Sequence, residues 1–95
     1  SMKPRKTHTL KIWSEFYNPM DEGKKMFTVR KMDRDFSVGD RIVFEEYDPK
    51  TKTFSGWKMQ RFISYILVGG RFGIEEGYGV LGLTEKDPEE TTNEN

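Results

Sequence analysis

The choice of apolar residues constrains the fold of this 95-residue chain more than any other feature. The sequence has no alanine and four leucines, but seven phenylalanines, four tyrosines and two tryptophans, with many valines, isoleucines and threonines. β-Branched and aromatic side chains suit pleated strands, whereas alanine and leucine favour helices. The composition therefore predicts a mainly β fold, a β-rich α+β domain with one or two short helices.

Strand-like segments recur along the chain and are separated by turn residues. Ser14 is placed to cap a short helical turn over residues 15–17, which Asn18 and Pro19 should end. Residues 48–56 predict an extended, exposed hairpin loop. Five strands in so short a chain need curvature to bury one face, so we expect a small barrel or half-barrel. The predicted strands are residues 9–13, 26–31, 41–47, 58–68 and 78–83.

Chain length and charge predict how the sequence is organised. We expect one domain over residues 7–83, since 95 residues supply a single core. Residues 1–6 are expected to be flexible, with a first serine that resembles a cloning remnant, and the acidic tail 84–95 to be disordered. The net charge is zero, yet residues 1–34 carry nine basic and four acidic side chains, and the tail carries one and five. We hypothesise that the tail screens this basic first third.

Several functional classes are excluded by the residues that the chain lacks. It has no cysteine and one histidine, which excludes disulfides, a thiol nucleophile, iron–sulfur clusters and Cys/His zinc sites. We therefore expect neither a metal nor a cofactor. No apolar stretch approaches the roughly 20 residues of a membrane span, and secretion has no support, so we expect a cytoplasmic location. The glycine spacing matches no nucleotide-triphosphate motif.

The densest functional signal is the segment 23–31, with the sequence GKKMFTVRK. On a strand, Thr28 and Arg30 project from the same face about 6.6 Å apart, and Lys25 directly precedes the strand. A hydroxyl, a guanidinium and an ammonium group can then address one phosphate, carboxylate or polarised amide. The alternative interpretation is a solvated, basic edge strand that discourages aggregation.

Further basic and aromatic residues lie near this segment. His8 and Lys11 in the first strand, and Arg34 after the second, can extend the basic patch, although a surface histidine without a role is the favoured interpretation of His8. Trp13, Phe16 and Tyr17 can stack on a base. Because aromatic residues are scarce core material in a small domain, core packing is favoured for Trp13.

Several segments, in consistent order over about residues 7–83, resemble a small bacterial and phage family of unknown function in the ASCH superfamily. These segments are His8-Thr9-Leu10-Lys11-Ile12, the stretch from Gly23-Lys24-Lys25 to Phe36, Val38-Gly39-Asp40, Glu46-Tyr47-Asp48-Pro49 and Glu76-Gly77-Tyr78. ASCH domains share the PUA-like fold. The resemblance implies a small β-barrel with a cleft and a role in binding RNA or nucleotides.

One motif of the superfamily, G-x-K-x-x-E-x-R, is matched in part. Gly23, Lys25 and Arg30 agree with it, whereas Thr28 stands in place of the glutamate. The resulting Lys-x-x-Thr-x-Arg is similar to the motif of bacterial ASCH amidohydrolases that deacetylate N(4)-acetylcytidine.

This second resemblance implies a catalytic site. Lys25 and Thr28 would be catalytic, together with a later glutamate, for which Glu75 and Glu76 are the candidates by analogy. A neutral Lys25 can take the Thr28 proton, the alkoxide can attack an acyl carbon, and Arg30 can stabilise the negative charge. The alternative for the two glutamates is a solvated turn.

Two functions therefore remain from different classes. The first is an RNA- or nucleotide-binding module, with His8, Lys11, Lys25, Arg30 and Arg34 as ligand-binding residues, favoured as a monomer. The second is a small amidohydrolase that acts on acylated cytidine. A third possibility is an accessory protein-interaction domain that uses a sheet edge.

Overall fold

A computed structural model describes residues 4–90, so the predictions for residues 1–3 and for residues 91–95 of the tail lie outside the described residues. Its elements are β1 (Thr7–Trp13), α1 (Ser14–Asp21), β2 (Phe27–Lys31), β3 (Arg41–Asp48), β4 (Thr53–Val68) and β5 (Tyr78–Thr84). The strand order is β1-β3-β4-β5-β2. β1 runs parallel to β3, and the other neighbours are antiparallel. The sheet curls into a half-barrel, which confirms the predicted β-rich, barrel-like fold.

The core lies on the concave face of the sheet. In β1 the buried residues His8, Leu10 and Ile12 alternate with exposed ones, so one face of the strand points into the core. Inward-facing residues of β3, β4 and β5 meet them, and α1 covers the concave face with Tyr17 and Met20. Each large apolar side chain buried in this way contributes roughly 1.5–3 kcal/mol to folding.

The helix α1 is longer than the sequence predicted. It begins at Ser14, its N-cap is the extended residue Trp13 with no side-chain cap, and it continues through Pro19. Tyr17 and Met20 lie one turn apart and are both buried. Their packing outweighs the helical hydrogen bond that Pro19 cannot donate, because tertiary contacts rather than local propensity stabilise short helices.

The β3–β4 hairpin, expected between residues 48 and 56, forms a longer strand pair than predicted. β4 begins at Thr53, so the turn itself is confined to residues 49–52. Tyr47 pairs with Phe54, and their rings lie 4.9 Å apart. We call residues 47–58 the hairpin arm. All its residues from 49 onward are exposed, in agreement with the prediction.

Asp40 joins the beginning of β1 to the segment before β3. Its carboxylate accepts hydrogen bonds from His8 Nε2 at 2.8 Å and from the backbone N–H groups of Lys6 at 3.1 Å and Ser37 at 3.0 Å. Burial alone raises the pKa of Asp40, but these hydrogen bonds outweigh burial and hold the pKa below its usual value. The expectation of a surface His8 is therefore wrong: only 6% of it is exposed, because strand alternation turns it inward onto this carboxylate.

The described part of the acidic tail, residues 84–90, contacts the N-terminal segment. The Asp87 carboxylate accepts hydrogen bonds from both terminal nitrogens of Arg5, one of them at 3.0 Å. This pairing lowers the pKa of Asp87 to about 2. Glu89 adds a second ion pair with Arg5 at 3.3 Å. The disorder expected for the tail stays a prediction; in the described part of the tail, one guanidinium contacts two carboxylates.

Candidate functional site

The curl of the sheet brings its two edge strands, β1 and β2, to face each other. Met26 and Met32, which flank β2, form hydrogen bonds with β5 and the residue before it: the Met26 carbonyl accepts from Leu83 and the Met32 N–H donates to Gly77. The backbone groups of Phe27 and Val29 alternate with these and therefore point away from β5, toward the open edge of the sheet. Arg30 Nη2 donates a 2.7 Å hydrogen bond to the carbonyl of Lys11 across the gap. We call this opening between β1 and β2 the seam.

A pocket of about 550 Å³ lies in the seam, and β1 and α1 form its first wall. This wall consists of Lys11, Ile12, Trp13 and Phe16. The rings of Trp13 and Phe16 stack 6.2 Å apart with 19° between their planes. The core position favoured for Trp13 is wrong, because 47% of its surface is exposed. The strict alternation of β1, which turns His8, Leu10 and Ile12 inward, is the sequence signal that places Trp13 outside.

The second wall comes from β2 and the residues that lead into it. It consists of Lys25, Phe27, Thr28, Val29 and Arg30. Thr28 is buried, and Arg30 is half-buried two residues further along the strand. The seam pocket therefore brings together four side chains that the sequence predicted as site residues: Lys11, Lys25, Thr28 and Arg30. Phe27 and Val29 are lining residues that sequence reasoning missed.

Lys25 is held between backbone and aromatic groups. Its Nζ donates a 2.8 Å hydrogen bond to the carbonyl of Phe27 and lies 4.9 Å from the centre of the Phe27 ring. The ring of Phe16 lies 5.5 Å away on the other wall. Burial lowers the pKa of Lys25, and the neighbouring charge of Arg30 lowers it further. A partly desolvated ammonium group interacts more strongly with an anion than a hydrated one does.

Arg30 has hydrogen-bonding capacity that its protein neighbours do not use. Burial lowers the pKa of this guanidinium, Arg34 lowers it as well, and Asp33 opposes both effects. Its Nε is buried and has no hydrogen-bond partner within residues 4–90. An unsatisfied buried donor costs about 1–3 kcal/mol. Because Nε is buried, a ligand can reach this guanidinium only at its terminal nitrogens.

The pocket lining is basic, since it contains Lys11, Lys25 and Arg30 and no carboxylate. Lys11 also places its Nζ 4.2 Å from the centre of the Tyr47 ring on the neighbouring strand. Two stacked rings beside these cations provide an apolar platform next to an anion-binding group. The arrangement suits a ligand with a planar part and a negatively charged part.

Two nominated basic residues lie outside the pocket lining. His8 is buried against Asp40, and its ring lies 4.7 Å from the ring of Phe36. Arg34 is exposed, 5.9 Å from the Phe36 ring, and influences the pocket through its charge on Arg30.

Glu75 and Glu76 also lie away from the pocket. Both are exposed in the loop between β4 and β5. That loop leads into β5 at Tyr78, which pairs with Lys31 of β2. Lys31 is three residues after Thr28, which is a distance of about 10 Å along the strand. Neither glutamate lines the pocket, so the structure does not bring them to Lys25 and Thr28.

A second pocket, of about 530 Å³, lies along α1 and was not anticipated from the sequence. It combines charges of both signs with aromatic side chains, and its residues are Tyr17, Asn18, Asp21, Glu46, Trp57 and Lys58. Burial raises the pKa of Tyr17, and Asp21 and Glu46 raise it further. The carboxylates distinguish this pocket from the basic seam pocket.

The fold and site together define a β-rich half-barrel domain with a basic, aromatic-lined pocket at the seam between its edge strands. The chain belongs to the family described as "Domain of unknown function (DUF3850)", whose sequence profile matches residues 7–83. No curated protein matches the sequence. The predicted resemblance to a family of unknown function is confirmed at this level.

Two further observations concern residues 4–90. The helix in this range is too short to cross a membrane. No cluster of three or more histidine, aspartate or glutamate side chains is arranged there to hold a metal ion.

Proposed function

We propose that this protein binds RNA or a nucleotide in the seam pocket. In this proposal Lys25 and Arg30 each contact a phosphate, while Trp13 and Phe16 stack on a base. The observation that carries it is the pocket lining, which places Lys11, Lys25 and Arg30 beside the stacked rings of Trp13 and Phe16 and contains no carboxylate. A phosphate supplies the negative charge that this lining lacks.

The energetics of the pocket support such a ligand. A charge-assisted hydrogen bond is roughly twice as strong as a neutral one, and the planar guanidinium fork of Arg30 matches phosphate geometry. Stacking of a base on an aromatic side chain contributes about 1–3 kcal/mol. The volume of about 550 Å³ is in the range of small-ligand pockets.

We also propose that this family is a member of the ASCH superfamily and shares its PUA-like fold. Gly23, Lys25 and Arg30 support it, because they match the superfamily motif and two of them line the pocket. The proposed role of that superfamily, binding RNA or nucleotides, agrees with the chemistry of the site. We propose a cytoplasmic monomer as the form that meets this ligand.

The dependence of binding on salt tests this function. The Trp57→Phe variant leaves Trp13 as the sole tryptophan, so fluorescence reports on the seam pocket alone. We expect short single-stranded RNA to quench Trp13, with affinity falling as salt rises. Contacts to two phosphates predict a slope of log K against log salt of about −1.4. Binding that is insensitive to salt, or RNA that leaves Trp13 fluorescence unchanged, contradicts the proposal.

One observation favours the amidohydrolase as a second candidate. Burial and Arg30 lower the pKa of Lys25, and a neutral amine can accept the proton of the nearby Thr28 hydroxyl. The reaction would consume water and release cytidine and acetate from N(4)-acetylcytidine. Against it, the pocket lining offers no glutamate as a third member of the site.

Liquid chromatography of reactions with N(4)-acetylcytidine separates the two candidates. If the pocket only binds, the wild type and Thr28→Ala both leave the nucleoside intact over several hours. Turnover that Thr28→Ala abolishes and Thr28→Ser retains would instead establish an enzyme with Thr28 as nucleophile. Similar RNA affinities of the wild type and Thr28→Ala show that the variant has kept its pocket.

A further inference from the structure

A row of aromatic rings leaves the seam pocket and reaches the hairpin arm. Phe16 stacks on Trp13 at 6.2 Å, and Trp13 is the register partner of Tyr47 on β3. Tyr47 is in turn the register partner of Phe54 on β4, with ring centres 4.9 Å apart. Register partners share a face of a sheet, so Trp13, Tyr47 and Phe54 lie on the same side. We call these four rings the aromatic track.

Three rings of the track are exposed, and the fourth, Tyr47, is half-buried. Trp13 and Phe54 have 47% and 55% of their surfaces exposed, and Phe16 is exposed as well. None of the four rings belongs to the buried hydrophobic cluster. Contiguous exposed aromatic side chains on a small domain indicate a binding surface.

Positive charges accompany the rings. Lys25 lies 5.5 Å from the Phe16 ring at the pocket end, and Lys11 lies 4.2 Å from the Tyr47 ring. Lys50 and Lys52 lie in the exposed turn at the far end of the arm.

Two acidic residues border the same surface, and both have partners. Glu45 is paired with Lys58 at 3.5 Å. Asp48 accepts a hydrogen bond from the backbone N–H of Lys50 at 2.9 Å, which does not cancel its charge, so four lysines face this one carboxylate. The lysines at both ends and in the middle of the track therefore favour an anionic chain.

From this arrangement we infer that the ligand of the seam pocket is one nucleotide of a single-stranded polynucleotide, whose neighbouring bases stack along the aromatic track. The inference rests on the proposed function. Tyr47 and Phe54 supply two stacking positions beyond the pocket. Proteins that hold single strands combine such successive aromatic platforms with a basic path for the backbone. A free mononucleotide would occupy the pocket and leave these two rings without a role.

A series of uridine ligands of increasing length tests the inference. The probes are uridine monophosphate and the di-, tetra- and hexauridylates, measured at one low salt concentration by Trp13 fluorescence in the Trp57→Phe background. We expect affinity to rise at least tenfold from the monophosphate to the tetranucleotide. Phe54→Ala should lower tetranucleotide affinity about 5- to 150-fold, the effect of losing one stacking platform, and leave monophosphate affinity unchanged.

Two further variants separate stacking from general effects. Phe54→Leu keeps an apolar side chain without a π face, so it should behave like Phe54→Ala. Phe72→Ala is the matched control, since Phe72 is 79% exposed in the β4–β5 loop, apart from the track. It should leave all affinities unchanged. An equal loss in Phe72→Ala and Phe54→Ala would overturn the assignment of the track.

The outcomes distinguish this inference from the function on which it rests. Monophosphate binding without any gain on lengthening refutes the polynucleotide and leaves the pocket as a nucleotide site. Failure of every uridine ligand to bind refutes both. Tighter binding of an uncharged proline-rich peptide than of hexauridylate would assign the track to a protein partner. The same series in deoxyuridylates distinguishes RNA from DNA, because the protein must contact the 2′-hydroxyl to prefer RNA.

Discussion

Arg30→Gln is expected to lower the affinity of the protein for tetrauridylate by at least tenfold. Loss of a hydrogen bond to a charged group costs about 1.5–3 kcal/mol, which corresponds to roughly 10- to 150-fold in the dissociation constant. Glutamine retains an amide donor that can still approach the carbonyl of Lys11 across the seam, so the fold should persist. The slope of log K against log salt should also fall in magnitude by about 0.7, the contribution of one phosphate contact to a single strand.

The controls for Arg30→Gln separate a specific contact from a general loss of charge. Arg71→Gln removes the same charge from an exposed loop position outside the pocket and should leave the affinity within about twofold. Arg30→Lys keeps the charge without the planar fork, and an intermediate affinity is expected. An unchanged affinity in Arg30→Gln, with an unchanged thermal unfolding midpoint, would remove Arg30 from the binding site.

Asp40→Ala is expected to have the largest effect on stability, about 3 kcal/mol in the free energy of unfolding. Asp40 is 2% exposed, and its removal leaves the backbone N–H groups of Lys6 and Ser37 and the ring of His8 without their acceptor. Each buried donor left unsatisfied is costly, and natural domains are stable by only about 5–15 kcal/mol. The thermal midpoint should fall by roughly 10–20 °C.

Acid should reproduce part of this loss in the wild type. The pKa of Asp40 is depressed in the folded state, and the ion pair with Arg5 brings the pKa of Asp87 to about 2. A depressed carboxyl pKa stabilises the fold above the unfolded value of about 3.9, and this stabilisation disappears as pH falls through the folded value. Urea unfolding should therefore show a decline in stability from about pH 4 toward pH 2, shallower in Asp40→Ala.

The matched control for stability is Asp35→Ala. Asp35 forms an ion pair with Lys6 at 3.0 Å on the exposed surface, where such pairs contribute about 0–1 kcal/mol. Its effect should be well below that of Asp40→Ala. Equal effects, or a pH profile that Asp40→Ala does not alter, would show that the three hydrogen bonds of Asp40 do not stabilise the fold.

The sequence by itself determined the class of fold and the segment that forms one wall of the pocket. β-Branched and aromatic residues pack well in strands, and the sequence contains many of them and no alanine. Five strands in so short a chain must form a curled sheet to bury one face. Strand periodicity of two also placed Thr28 and Arg30 on one face, with Lys25 just before them. These are local properties, because they depend on neighbouring residues in the chain.

Only the tertiary structure decided which surfaces became buried and which residues met. Alternation in β1 places His8 and Trp13 on opposite faces, but only the pairing with β3 and the approach of Asp40 give the buried His8 a hydrogen-bond partner. Lys11 and Arg30 are 19 residues apart in the chain and approach each other because the curled sheet brings its edges together. Such approaches depend on long-range strand pairing and curvature, which no local pattern of residues encodes.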